Sequence, residues 1–157
     1  MSNRRRLAFL PLILASNSAL SQQDASLGLE TIAKQTSPVI RSERSPEFLV
    51  ARTPNEWAAA WKRPYVDQRR ETDGRPIALP NVDFGSSMVV GIILPTKSSG
   101  CTGVTIYEAI VSPEQVVVRY REPKPQSMRV CTLSFTTAYH YVKVERSPLP
   151  VVFQREE

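Results

Sequence analysis

The sequence predicts an α+β fold: a mainly antiparallel curved sheet or partial barrel of about six or seven strands with one packed helix. Three observations carry this reading. Only one stretch, around Thr53 to Trp61, has the punctuation of a helix. Most of the remaining apolar residues fall in short β-branched runs separated by Pro, Gly and Ser. The chain has 157 residues, enough for one domain with a real core and too few for two of ordinary size.

The first residues do not read as part of that fold. Arg4, Arg5 and Arg6 form a charged start, Leu7 to Ala15 an apolar block, and Ala19-Leu20-Ser21 a small-x-small cleavage site. Residues 1–21 are therefore expected to be a secretory signal peptide, with the mature chain starting near Gln22 and located in the periplasm or outside the cell. The apolar block is well short of the ~18–20 residues that cross a bilayer, and no later segment comes closer, so no integral membrane segment is expected in the mature chain. Export also changes the charge. The formal net charge is +5, but removing three arginines from 20 basic residues leaves 17 against 15 acidic ones, a net of +2. The remaining cluster of Lys62-Arg63, Arg69-Arg70 and Arg75 is interrupted by Asp67, Glu71 and Asp73, which reads as a solvated loop and not as a nucleic-acid surface.

Residues 22–28 have the composition of a flexible leader, and Leu29 to Ala33 starts the first short strand of a single domain over 29–157. Ser37-Pro38 and Ser45-Pro46 make residues 34–46 loop or edge. Phe48 to Arg52 is a short strand. The helix follows, with Thr53 as N-cap, Pro54 at the first helical position and Glu56 three residues after the cap. Trp57 and Trp61 stand four apart among Ala58, Ala59 and Ala60, which places both indoles on one face. That face is expected to pack on a sheet, since the helix has little else to bury; the competing reading is a sugar platform. Arg63-Pro64 ends the helix.

Residues 64–86 carry Asp73-Gly74, Arg75-Pro76, Leu79-Pro80 and Phe84-Gly85, a density of breakers that predicts a long loop. Met88 to Leu94 is a continuous apolar run suited to a central strand buried on both faces. Val104 to Val111 and Val116 to Arg121, joined by Ser112-Pro113-Glu114, predict a hairpin. Cys131, Leu133 and Phe135 are expected to share an inward face. In Tyr139 to Glu145, His140, Val142 and Val144 face one way and Tyr141, Lys143 and Glu145 the other. Val151 to Phe153 closes the fold.

Taken together, several of these pieces resemble the PrcB-like family, secreted bacterial domains named after an accessory subunit of a surface protease complex. They are Asn55-Glu56-Trp57 through Trp61, Leu79-Pro80-Asn81-Val82-Asp83-Phe84, and Met88-Val89-Val90-Gly91. Ser99-Gly100-Cys101-Thr102-Gly103 through Ile106, Val116 through Glu122, Ala138-Tyr139-His140 through Val144, and Pro150 through Phe153 complete the set. The resemblance spans about residues 29 to 155. The family usually reads Thr-Gly-Gly-Tyr where this chain has Ser99 to Thr102, and Pro-Tyr-His where it has Ala138-Tyr139-His140. The resemblance implies a non-enzymatic role and supplies no catalytic residues.

The residues with chemistry are few. Cys101 in its small-residue loop is open to three readings: nucleophile, metal ligand or half of a disulfide. A nucleophile needs a base such as His140 and a third group to orient it, and zinc needs more ligands than one His and two Cys at unrelated spacing. In an oxidising compartment two cysteines with no third competitor have one pairing, so a Cys101–Cys131 disulfide is expected; the alternative is two separate buried thiols. His140 on an apolar strand face reads as a hydrogen-bonded core histidine. Asp83, beside Phe84 and Gly85, reads as a turn cap, although with Glu108 it also makes a pair of acids. No catalytic residue, cofactor or metal is expected. Two function classes follow. The first is an exported protein-binding or stabilising module whose partner is another envelope or secreted protein, such as a protease, engaged at sheet edges or the 62–86 loop. The second is an envelope carbohydrate-binding or hydrolase domain using the Trp57/Trp61 face.

Overall fold

Along the run that starts at Met88, successive side chains enter two different cores. Met88, Val90 and Ile92 pack with Val142 and Val144 in one, while Val89 and Ile93 join Tyr139 and Tyr141 in the other. A strand with two buried faces needs a layer on each side, and the rest of the chain supplies them. The computed structural model describes residues 24–37, 43–62, 78–124 and 130–156. Its elements, in chain order, are β1 (Ala25–Ser26), β2 (Glu30–Ser37), β3 (Glu47–Ala51), α1 (Pro54–Lys62), β4 (Ser87–Ile93), β5 (Thr105–Val111), β6 (Val116–Arg121), β7 (Thr137–Glu145) and β8 (Val151–Arg155).

The strands form two four-stranded sheets, β1-β5-β6-β8 and β2-β7-β4-β3, with no closed barrel. The α+β class and the mainly antiparallel pairing are as expected. The single curved sheet is corrected to two sheets stacked face to face, with α1 on the outer face of the second. The core between the sheets takes Ile106 and Ala109 from β5 and Val116, Val118 and Tyr120 from β6 against the even-numbered residues of β4 and β7. Among the described residues the one parallel pairing is β6 with β8, Val116 opposite Val151 through Tyr120 opposite Arg155.

The helix begins where its local chemistry directs. Thr53 Oγ1 accepts the Glu56 N–H at 3.3 Å, and Glu56 Oε2 accepts the N–H groups of Thr53 at 3.0 Å and Arg52 at 2.7 Å. These donors, Arg52 first, hold the Glu56 carboxyl below its ordinary range. Trp57 and Trp61 are 1% and 7% exposed, so the sugar-platform reading loses its surface. Trp57 meets Tyr141 edge-on at 5.3 Å, and its indole N–H donates to the Pro80 carbonyl at 2.9 Å. Opposite Tyr141 on β4 sits Gly91; a Cβ there would collide with the tyrosine ring, so the absent side chain makes room for the ring under the helix.

Two sequence expectations are corrected, and a third is borne out with more of the chain in strand. Residues 24–28 are not a free leader: Ala25 and Ser26 pair with Val111 and Ile110, Leu27 N–H donates to the Ala109 carbonyl at 2.8 Å, and Leu27 and Leu29 pack on the core. The ordered domain thus begins before Leu29. The strand that starts near Leu29 runs on to Ser37 at the sheet's edge, in keeping with the loop-or-edge expectation beginning at Lys34, because β7 offers Thr137 to His140 as partners for the polar Lys34-Gln35-Thr36-Ser37. Finally, Leu133 is 98% and Phe135 60% exposed, so the segment from Cys131 does not face inward. The signal peptide, Gln22, the Arg63-Pro64 stop and residues 64–77 of the long loop lie outside the described residues. The remainder, 78–86, is irregular apart from one turn.

Candidate functional site

The loop that carries Cys101 lies between β4 and β5, and the segment 130–135 runs beside it into β7. Cys101 and Cys131 are bonded to each other, with Cα atoms 5.3 Å apart, and among the described residues there is no free cysteine. The bridge is reinforced on both sides. Gly100 N–H donates to the Thr132 carbonyl at 2.8 Å, and Lys97 and Thr136 exchange backbone hydrogen bonds at 2.8 and 2.9 Å. Thr136 Oγ1 also donates to the Ser99 carbonyl at 2.6 Å. Gly100 is required by this approach, since a Cβ would land on the Thr132 hydroxyl oxygen.

Those anchors hold three large apolar side chains out in solvent. Val130 is 97% exposed, beside Leu133 and Phe135 on the same tethered segment. Six consecutive residues that present three bulky apolar groups, pinned by a disulfide and by backbone hydrogen bonds, are unlike an apolar residue scattered singly over a surface.

Next to this strip opens a polar cleft of about 640 Å³ between the end of β2, the Cys101 loop and the end of β6. Two hydrogen bonds from β2 close its floor: Lys34 Nζ donates to Thr105 Oγ1 at 2.7 Å and Thr36 Oγ1 to the Thr102 carbonyl at 2.7 Å. Deeper in the same corner, His140 Nδ1 accepts the Ile106 N–H at 2.8 Å, and Nε2 lies 3.1 Å from Thr31 Oγ1. With Nδ1 accepting, the neutral ring carries its proton on Nε2 and donates it to Thr31. Burial, and then the nearby Lys34 charge, push the imidazole down to about 4, so it is neutral at pH 7.

The carboxylates at the cleft are mostly committed. Glu122 pairs with Lys97 through Oε2 and with Arg155 through Oε1 at 3.2 Å, and Glu156 lies 3.8 Å from Arg121. Arg121 also covers the Tyr107 ring, 5.3 Å from its centroid.

The other sequence candidates have structural positions. Asp83 Oδ1 accepts the Gly85 N–H at 2.9 Å and Oδ2 the Ser86 hydroxyl at 2.7 Å, the expected turn cap. These bonds, the Ser86 hydroxyl first, lower its carboxyl below the ordinary range. Glu108 pairs with Arg119 at 2.8 Å across the β5–β6 hairpin, so the structure gives the two acids separate roles. Among the described residues no three His, Cys, Asp or Glu side chains gather into a metal-binding set, and no helix is long and apolar enough to cross a membrane.

Of the expected residues, the fold brings together Cys101 and Cys131. Sequence reasoning missed Val130, Leu133 and Phe135 as surface groups. Period-two alternation marks Leu133 and Phe135 as one face, but it does not say whether that face meets a core. Comparison of the chain with protein-family models, curated proteins and solved structures finds no match.

Proposed function

We propose that this protein is a non-enzymatic, exported protein-binding module that docks and stabilises another envelope or secreted protein through the tethered segment 130–135. The observation that carries this reading is the exposure of Val130, Leu133 and Phe135 on a segment held rigid by the Cys101–Cys131 bridge. A pre-ordered apolar strip loses little conformational entropy when a partner covers it, which favours binding over self-burial. The apolar block and cleavage pattern of residues 1–21 support export, as does a disulfide in so small a domain. The resemblance to PrcB-like domains points to a protease complex as the kind of assembly the partner belongs to.

The side chains able to do chemistry support a non-catalytic role, because each is engaged in holding the fold. Cys101 is in the bridge, His140 ties Ile106 to Thr31, Asp83 caps a turn and Glu108 holds Arg119. The test is capture from an envelope extract on immobilised mature protein, identification of the bound protein by mass spectrometry, and reconstitution of the purified pair. Wild type should bind, and the double variant Leu133→Ser/Phe135→Ser should bind at least about tenfold more weakly. Equal binding by the two would overturn the reading.

A further inference from the structure

The cleft beside the disulfide carries charge that no described carboxylate neutralises. Lys34, Arg121 and Lys124 line it against Glu122 and Glu156. Glu122 is already shared by Lys97 and Arg155, and Glu156 faces Arg121. Among the described residues, Lys34 and Lys124 have no carboxylate within ion-pair distance; the Lys34 ammonium donates only to the neutral Thr105 hydroxyl. Two unpaired ammonium groups in a concave site raise the local concentration of anionic groups and favour their binding.

The cleft and the apolar strip also meet at the disulfide. Gly100 and Cys101 line the cleft, and the same two residues hold Thr132 and Cys131 at the root of the strip. A ligand lying along both would meet cations at one end and Leu133 and Phe135 at the other.

We propose that this combined surface receives an extended peptide segment that carries carboxylate side chains at one end and large apolar ones at the other. Its carboxylates pair with Lys34 and Lys124, and its apolar side chains cover Leu133 and Phe135. This deepens the protein-binding function above and rests on it, since it names the chemistry of the partner's docking segment. A peptide fits better than a nucleic acid because a continuous polyphosphate would have to pass Glu122 and Glu156.

Fluorescence anisotropy on the mature protein tests this with labelled peptides that carry a run of Glu or Asp followed by a run of Leu or Phe. Controls are the same peptides with Lys in place of each acid and a single-stranded DNA oligonucleotide. The acidic–apolar peptides should bind, their affinity should fall as salt rises, and Lys34→Glu/Lys124→Glu should weaken them by about tenfold or more while the variant still melts cooperatively. Absence of binding, equal affinity for the lysine peptides, tighter binding of DNA, or indifference to the charge reversal would each overturn the proposal. The purified partner separates the two ideas. If Leu133→Ser/Phe135→Ser abolishes its binding and Lys34→Glu/Lys124→Glu does not, the module binds its partner without the acidic recognition proposed here. If neither variant matters, both readings fall.

Discussion

His140 on β7 accepts the backbone N–H of Ile106 on β5 at 2.8 Å, and this bond joins the two sheets at one corner of the sandwich. It is satisfied only while Nδ1 is unprotonated. A proton there would set two donors against each other in a buried place, and burial with the neighbouring Lys34 charge already holds the ring at about 4, against an ordinary 6.5.

That relationship gives stability a pH dependence of known sign. Between about 4 and 6.5 the unfolded histidine binds more protons than the folded one, so its contribution is fully present above 6.5 and is lost as pH falls through that window. The slope approaches ~1.4 kcal/mol per pH unit for one proton. Urea melts at pH 7, 6 and 5 should show it. The contributions of Glu56 and Asp83, whose carboxyls are lowered from 4.5 and 3.8, are present above those values and are lost only as pH falls below them. Asn keeps an acceptor near the Nδ1 position, so His140→Asn should flatten the profile; an unchanged slope would assign the effect elsewhere.

At the helix, the order of losses is the test. Thr53→Ala removes one capping bond and should cost about 1 kcal/mol. Trp57→Ala empties the space beside Tyr141 and strands the Pro80 carbonyl, so about 3–5 kcal/mol is expected. Equal, small losses in denaturant melts would contradict the burial of the indole.

Removing the bridge should reach both stability and the apolar strip. With a sequence separation of 30 between the cysteines, Cys101→Ala/Cys131→Ala is expected to lose roughly 3–4 kcal/mol by chain entropy. Amide exchange should rise at Gly100, whose N–H donates to the Thr132 carbonyl beside the bridge. Alkylation of the denatured wild type should add no label before reduction and two after it; labelling before reduction would refute the bond.

The strip behaves differently. Because Leu133 and Phe135 are exposed, Leu133→Ser and Phe135→Ser should each leave stability within about 0.5 kcal/mol of wild type. A loss of several kcal/mol in thermal or urea melts would mean that these side chains are core, as their alternation first indicates.

What the sequence determined by itself was local or forced. The capping box of Thr53 and Glu56 acts across three residues, the β5–β6 turn is closed by Ser112 and Gln115 over the same distance, and Asp83 reaches two and three residues along. Two cysteines have one pairing, and a run buried on both faces, such as Met88 to Ile93, belongs in the middle of a sheet. The tertiary structure decided the rest. Thr31 meets His140 across 109 positions, Lys34 meets Thr105 across 71, and Thr36 meets Thr102 across 66. These contacts separate two sheets from one, extend β2 past its apolar residues and assemble the cleft. The same holds for the strip: alternation put Leu133 and Phe135 on one face, but with Thr132 held against Gly100 that face lies outside the core. A short-range pattern records which side chains point together. Which of those sets is buried depends on the partner surface, and residues far away in the chain supply it.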